Sequence, residues 1–203
     1  MTLPVGILIS GRGSNMLALV AAMRAPGFPA HPAVVISNRP DAPGLVAAAD
    51  LGLATAAIDH KSFATRTEFD EALDAALHEA GAALVACAGF MRILGPEFAR
   101  AWSGRALNIH PSLLPLFPGL DTHARALAAG VAIHGCTVHE ITEALDSGPI
   151  LGQAALAVAA GDTAETLADR VRRCEHALYP AVLAAYATDP TALRRAPIGL
   201  LCP

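Results

Sequence analysis

Short apolar segments alternate with amphipathic ones through the first half of the chain. The apolar segments are rich in small and β-branched residues, as in buried strands, and lie at 5–9, 33–36, 54–58, 83–87 and 106–108. The segments between them favour helices and lie at 16–23, 44–51 and 68–79. Such alternation is typical of a parallel sheet with right-handed crossovers. We therefore predict an α/β fold with one open, doubly wound, mostly parallel Rossmann-like sheet.

The second half departs from this alternation. The Pro-rich segment 111–118 cannot form a helix or a central strand, so it predicts an irregular loop. Two extended runs, at 135–140 and 149–158, flank the turn-like sequence Asp146-Ser147-Gly148. Their closeness indicates an antiparallel C-terminal hairpin, which would make the sheet mixed.

A long C-terminal helix is predicted at 163–186. Asp162 or Thr163 would cap it, with Glu165 near its third position. The tail at 190–203 has no periodic pattern and is expected to be irregular. A length of 203 residues fits a single domain.

Composition and charge exclude several classes of partner. The chain is 54% hydrophobic and 16% charged, with a net charge of −4, so it should fold unaided and offers no basic surface to nucleic acid. No apolar run approaches the roughly 20 residues of a membrane span, and no export leader is apparent. The four cysteines are far apart, which favours free thiols in the cytoplasm. A monomer and a homodimer both remain open.

A glycine loop follows the first strand, at Gly11-Arg12-Gly13-Ser14-Asn15. Free N–H groups and the helix dipole at such a loop can hold a phosphate. A dinucleotide fingerprint would need a third glycine at Met16, and a Walker loop would need Gly-Lys-Ser/Thr; both are missing. A tight turn with Ser14 capping the helix is equally open, and a bound phosphate would more readily be a monophosphate.

Polar side chains end the fifth predicted strand. Asn108 and His110 alternate along it, so they should point to the same side at the carboxyl end of a strand, where open α/β sheets place their chemistry. An amide and an imidazole together could stabilise an oxyanion, and Asp146 in the hairpin turn could keep the imidazole protonated. The alternative is that Asn108 caps a loop and His110 is a histidine of the core, which would give the same spacing.

Two other chemistries are disfavoured. The remaining histidines at 123, 134 and 139 do not repeat at the spacing of a helical or hairpin ligand pair, so no metal is expected. No Gly-x-Ser-x-Gly elbow is present, which argues against a hydrolase of that type.

Five motifs follow one another in order between about Val5 and Pro180. They are SGRGSN from Ser10, AGFMRIL from Ala88, NIHPSLLP from Asn108, HGCTVH from His134 and LDSGPI from Leu145. Together they resemble the glycinamide ribonucleotide formyltransferase family of purine biosynthesis. The resemblance implies transfer of a formyl group from the co-substrate 10-formyltetrahydrofolate to the amine of glycinamide ribonucleotide.

The resemblance also implies roles for three residues. His110 would be the general acid, and Asn108 would hydrogen-bond the formyl oxygen. Asp146 would hold the imidazole protonated and help to relay the proton. Both donors would strengthen their bonds as charge develops on the oxygen of the tetrahedral intermediate.

Binding residues follow from the same resemblance. Folate would contact Arg66, Met91, Arg92, Ile93, Leu94, Asn108, Thr142, Glu143, Ala144, Leu145 and Asp146. The ribonucleotide would contact Gly13, Ser14, Asn15, Arg172 and Glu175, with the first three at the phosphate and Glu175 at the ribose. Residues 1–105 would then hold the substrate phosphate, and residues 106–189 would carry catalysis and folate binding. For single side chains of 90–94, core packing is the alternative.

This chain departs from the family pattern around the phosphate. Leu116 and Asp121 stand where relatives often carry Lys or His, and Arg172 and Cys174 stand where Gln is familiar. We therefore expect Arg172, on the C-terminal helix, to supply phosphate charge. Arg12 or Arg125 could also contribute.

Three other functions are weighed against formyl transfer to a ribonucleotide. A formyltetrahydrofolate hydrolase is expected to carry an N-terminal regulatory domain, whereas the first strand here begins at Val5. Methionyl-tRNA formyltransferase is disfavoured by the lack of a C-terminal domain and a basic surface. The alternative of another class is a non-catalytic nucleotide-binding module, which would rest on the glycine loop alone.

Overall fold

The computed structural model describes residues 2–202, and these residues contain eight strands in one sheet. The strands are β1 (Leu3–Ile9), β2 (Ala30–Ser37), β3 (Thr55–Ala57), β4 (Leu84–Cys87), β5 (Ala106–His110), β6 (Ile133–Glu140), β7 (Ile150–Ala157) and β8 (Ile198–Leu201). The helices are α1 (Ser14–Met23), α2 (Pro43–Asp50), α3 (Arg66–Glu79), α4 (Pro96–Ala101), α5 (Thr122–Ala128), α6 (Ala164–Thr188) and α7 (Pro190–Arg195).

The order of the strands is β3-β2-β1-β4-β5-β6-β7-β8. Every described pairing is parallel except those of β6, which runs antiparallel to both β5 and β7. The predicted mostly parallel sheet with a C-terminal hairpin is therefore confirmed. The order reverses between β1 and β4, and the crevice at such a reversal is where open α/β sheets bind ligands.

Helices cover both faces of the sheet. Alternate residues of β1, such as Ile7 and Ile9, join a core that includes side chains of α1, α2 and α6. Leu8 faces the opposite way, into a second core built with α3, α4 and Trp102. Leu107 and Ile109 of β5 lie in the first core, so their neighbours along the strand point to the second face.

Several local predictions need correction. The cap of α6 is Thr163, whose hydroxyl accepts the N–H of Thr166; Thr166 takes the third position that we gave to Glu165. Helix α5 and a short 3₁₀ turn at His60–Ser62 were not predicted. Both are shorter than two full turns and show little helical periodicity.

The prediction of an irregular tail is wrong. Asp189 accepts the backbone N–H groups of Thr191 and Ala192 and so caps α7, in which Pro190 takes the first position. The four residues of β8 then pair in parallel with β7 at the edge of the sheet. A strand of four residues is too short to show a pattern in the sequence, so it is recognised only from its pairing with β7. Among the described helices, none combines the length and the apolar character that crossing a membrane requires.

Candidate active site

Strand β5 ends in two polar side chains on the same face of the sheet. Its antiparallel pairing with β6 puts Asn108 opposite His139 and His110 opposite Thr137. His110 is buried, and Asn108 is half-buried. These side chains stand at the carboxyl end of β5, beside the loop 111–118.

Asp146 lies in the loop 141–149 between β6 and β7 and has a positive φ of 50°. Its carboxylate is 7% exposed; Oδ2 lies 3.5 Å from Nδ1 of His110, and Oδ1 lies 3.8 Å from Nε2 of His139. The N–H of Gly119 also donates to it, at 2.8 Å. A side chain at Gly148 would place its Cβ 1.8 Å from the carbonyl oxygen of Glu140, so glycine permits this approach of the turn to the strand.

The hydrogen bonds around these groups indicate where the protons lie. Nδ1–H of His139 donates to the carbonyl of Glu140 at 2.8 Å, and Nε2 is then free to accept from the amide of Asn108 at 3.2 Å. Burial lowers the pKa of His139, against the opposing effect of Asp146, and so favours this neutral form. One hydrogen of the Asn108 amide is left for another acceptor.

His110 stands between two acceptors. Nε2–H donates to the carbonyl of Phe117 at 3.0 Å, while Nδ1 faces the carboxylate of Asp146. Only the doubly protonated imidazolium can donate on both sides. The hydroxyl of Ser112 donates to the carbonyl of Leu116 at 2.6 Å and lies 3.2 Å from the carbonyl of Phe117, so the Pro-rich loop is folded against the histidine.

Sequence reasoning missed the part played by His139, which was weighed only as a metal ligand. The feature that reveals the contact of His139 is the pairing register of β5 with β6, because that register puts His139 opposite Asn108. The register between two strands is not visible in the alternation of either strand alone. Within residues 2–202, no group of three or more His, Cys, Asp or Glu side chains is arranged to hold a metal ion.

A cavity of about 400 Å³ opens beside the glycine loop. Gly13 has φ 72° and occupies the cap position of α1 without a side-chain cap, so the alternative in which Ser14 caps the helix is wrong. The first N–H groups of α1 have no partner within the helix. Gly44 of α2 donates its N–H to the carbonyl of Gly11 at 3.0 Å and holds the loop against the next crossover.

Charged side chains line this cavity from three sides. Arg12, Arg39 and Arg172 are among its lining residues, together with the buried Glu175. The guanidinium group of Arg39 pairs with Asp41 at 3.0 Å, and that of Arg172 pairs with Asp169 at 2.6 Å. The amide of Asn15 donates to Glu175 at 2.7 Å, while its own oxygen is buried without a partner. Burial raises the pKa of Glu175, although Asn15 and Arg172 oppose that shift. The lining draws on both halves of the chain.

The apolar rim is the name that we give to Met91, Ile93 and Leu145, three exposed apolar residues that are expected near folate. The side chains of Met91, Ile93 and Leu145 are 74%, 59% and 56% exposed. Exposed apolar groups grouped beside polar ones mark a binding site more often than a random surface. Leu94 is half-buried against the second core, as the packing alternative for single side chains allowed.

The other residues expected near folate differ in their exposure and in their contacts. Arg66 begins α3, and a Cβ at Gly95 would lie 3.5 Å from its Nε, so it stands at the end of the loop 91–94. Glu143 is tied to Arg100 of α4 at 2.9 Å. Arg92 is half-buried, and Thr142 and Ala144 are exposed.

Leu116, Asp121 and Arg125 lie on the Pro-rich loop and the helix after it. Leu116 is 55% exposed, and Asp121 is exposed with a positive φ of 56°. Arg125 donates to the carbonyls of Pro118 and Leu120, so its guanidinium serves its own loop. Of the cations considered for the phosphate, Arg12 and Arg172 line the cavity.

A doubly wound sheet, with Asn108 and His110 at the end of β5 and Asp146 beside them, agrees with the Rossmann-like formyltransferases that the sequence motifs resemble. Residues 4–183 match the formyl transferase family, and the chain belongs to that family.

Similar proteins carry a more particular name. The chain is 42% identical over 181 residues to phosphoribosylglycinamide formyltransferase of Escherichia coli, which covers 89% of this chain and 85% of that protein. A crystal structure of phosphoribosylglycinamide formyltransferase from Brucella melitensis is 51% identical, with a TM-score of 0.88 over 92% of this chain and 96% of that one. The chain is also 46% identical over 198 residues to the trifunctional purine biosynthetic protein adenosine-3 of Bos taurus, where 98% of this chain spans only 19% of that protein.

Proposed function

We propose that this protein transfers the formyl group of 10-formyltetrahydrofolate to the amine of glycinamide ribonucleotide. The products would be formylglycinamide ribonucleotide and tetrahydrofolate, a step of de novo purine biosynthesis leading to IMP. The observation that carries the proposal is the buried carboxylate of Asp146 between His110 and His139, beside Asn108. Similarity to phosphoribosylglycinamide formyltransferases supports the choice of substrate.

The chemistry uses the two donors at the end of β5. As the amine attacks the formyl carbon, negative charge grows on the formyl oxygen. The free amide hydrogen of Asn108 would bind that oxygen more strongly as its charge rises, and so would the Nε2–H of His110 once it exchanges the carbonyl of Phe117 for the substrate. The tetrahedral intermediate would then collapse by breaking the bond between the formyl carbon and the folate nitrogen, and His110 would act as the general acid that gives this nitrogen a proton. The attacking amine would lose a proton in the same step, which Asp146, 3.5 Å from His110, would help to relay. The neutral His139 would orient the amide.

We assign the folate to the apolar rim. Met91, Ile93 and Leu145 offer exposed apolar surface for a flat ring, and backbone groups of 91–94 and 142–146 offer donors and acceptors beside it. Arg66 stands at the edge of this rim, where a carboxylate tail could reach it.

We assign the ribonucleotide to the cavity at the glycine loop. Gly13, Ser14 and Asn15 would bind the phosphate through the start of α1. Arg172 would supply the charge that Leu116 and Asp121 lack, and Glu175 would accept from the ribose hydroxyls. Residues 1–105 would thus contribute the loop, and α6 would complete the site.

A cytoplasmic location belongs to the same proposal. The cysteines at 87, 136, 174 and 202 are free thiols, which suits a reducing compartment. Two small-molecule substrates, and no nucleic acid or membrane, are the partners we propose.

The test is formyl transfer by the purified protein, measured as tetrahydrofolate formed from 10-formyltetrahydrofolate with and without glycinamide ribonucleotide. We expect activity that requires the ribonucleotide and is lost in His110→Ala. Equal folate turnover without the ribonucleotide would favour the hydrolase. Binding of the ribonucleotide with no turnover would favour a nucleotide-binding module.

A further inference from the structure

The hydroxyl of Ser10 connects the ends of three strands. Ser10 follows β1 and is 5% exposed. Its O–H donates to Oδ1 of Asn38, which follows β2, at 2.6 Å, and its oxygen accepts the N–H of Met91, in the loop after β4, at 2.7 Å. The backbone N–H of Ser10 also donates to the carbonyl of Gly89 in the same loop, at 3.1 Å.

A further polar contact reaches the third crossover. Nδ2 of Asn38 lies 3.1 Å from Nδ1 of His60, which follows β3, and that nitrogen is 2.9 Å from the carbonyl of Asn38. Asn38 is 3% exposed, so its amide is fixed in place. The result is one line of polar groups along the carboxyl ends of the parallel strands, across the point where the strand order reverses.

This line joins the two segments that the proposed function assigns to different substrates. The glycine loop begins directly after Ser10, and the loop 91–94 begins at the residue whose N–H the hydroxyl binds. Ser10 and Met91 both line the cavity. A shift in this hydrogen bond would therefore change the distance between the two loops.

Resting on the proposed function, we propose that Ser10 is a positioning residue that holds the folate loop in register with the phosphate loop. Its hydroxyl is part of two short hydrogen bonds at a buried site, where a missing partner leaves a donor and an acceptor unsatisfied. Reaction rates depend steeply on how two bound reactants are aligned. Removing the hydroxyl should thus weaken folate binding and reduce turnover while the fold persists.

The first experiment compares the steady-state kinetics of Ser10→Ala with the wild type. We expect KM for 10-formyltetrahydrofolate to rise about tenfold, as one lost buried hydrogen bond implies. KM for glycinamide ribonucleotide should change by less than about twofold, because the glycine loop keeps its own contacts. Ser103→Ala is the matched control, since Ser103 is exposed in the turn after α4, and it should behave as the wild type. An unchanged folate KM, or an equal rise in both KM values, would overturn the proposal.

The second experiment measures the hydrogen bond without turnover. Amide hydrogen exchange at Met91 should be faster in Ser10→Ala than in the wild type, because its acceptor is gone. Ser10→Thr keeps the hydroxyl and should restore both the slow exchange and the folate KM; a Thr variant as weak as Ala would contradict us. If Ser10→Ala fails to fold, Asn38→Ala is measured in its place with the same readouts. Without the acceptor on Asn38, the side chain of Ser10 can turn its oxygen away from the N–H of Met91.

The outcomes separate the two proposals. A wild-type protein that transfers no formyl group would overturn the proposed function. An active wild type whose Ser10→Ala variant keeps its folate KM would overturn only the role of Ser10.

Discussion

The proposed catalytic group and the proposed phosphate cavity are built in opposite ways. Asn108, His110 and Asp146 are side chains whose polar atoms bind one another, a neighbouring histidine or a loop carbonyl. The cavity lies along the glycine loop, and arginines are among its lining residues. Arg39 is 55% exposed and Arg172 is 33% exposed in their side chains.

This contrast has an energetic consequence. When one buried partner is removed, another buried polar group is left unsatisfied, so the cost is large and is shared among the neighbours. Main-chain N–H groups cannot be removed by substituting a side chain, and the contribution of an exposed charge to binding is weakened by solvent screening. Single substitutions should therefore reduce kcat strongly in the catalytic group and should raise KM modestly in the cavity.

The largest effect is expected from Asp146→Asn. The amide keeps the shape of the turn but removes the negative charge that faces His110 and His139. We expect kcat to fall by about 10³-fold, with both KM values nearly unchanged, as for loss of assisted general acid catalysis. Steady-state kinetics at pH 7 measure the change in kcat, and Asp50→Asn, at an exposed position, is the control. A loss of less than about tenfold would mean that the carboxylate is not needed for proton transfer.

Asn108→Ala should have the next largest effect. It removes the donor to the formyl oxygen and leaves Nε2 of His139 without the amide. A loss of about 10²-fold in kcat is typical when one oxyanion donor is removed. Single-turnover rates at saturating substrate check this, with thermal melting to confirm the fold. If the loss appears in KM alone, Asn108 binds the ground state and is not selective for the transition state.

The sequence was sufficient for the parts of this catalytic group that depend on one strand. Alternation along β5 puts Asn108 and His110 on one face without any knowledge of the fold. The place of His139 depends on the register with β6, which two separate apolar runs do not encode. The approach of Asp146 depends on Gly148, whose lack of a Cβ is meaningful only once the opposing carbonyl is known.

The fold shows the same limit. Strands that alternate with helices specify a parallel sheet locally, and the first five strands follow that rule. The segment 198–201 is too short to carry a pattern, and it becomes a strand because the edge of β7 offers unpaired groups. The polar line through Ser10 and Asn38 was equally invisible, since it joins residues 28 positions apart in the sequence.

Arg172→Ala tests the cavity side of the comparison. We expect KM for glycinamide ribonucleotide to rise about fivefold to tenfold, as for one partly screened charge contact, while kcat stays within about twofold. Arg173→Ala is a matched control, because Arg173 is the next residue of α6 and is exposed. The comparison of the two variants removes the effect of net charge. Equal KM values for both variants would mean that the phosphate charge is met elsewhere, with Arg12 the next candidate.

The smallest effect concerns stability, and it comes from the buried end of the cavity. Burial raises the pKa of Glu175 above its ordinary value of 4.5, so the folded protein keeps the proton to higher pH than the unfolded chain does. As pH rises above 4.5, the unfolded chain ionises first and the folded state loses stability, until pH passes the raised pKa. Glu175→Gln cannot ionise, and its side-chain oxygen can still accept from Asn15.

Glu175→Gln should therefore melt with the wild type near pH 4 and above it near pH 8. A gain of roughly 2–4 °C in Tm per kcal/mol applies to a chain of this size, and scanning calorimetry at several pH values measures it. A Gln variant that melts below the wild type near pH 8, with the gap closing as the pH falls, would show that Glu175 is stabilised as an anion. In that case Arg172, and not burial, would determine the charge of Glu175. The proposed catalytic group and the cavity would then differ less than we infer.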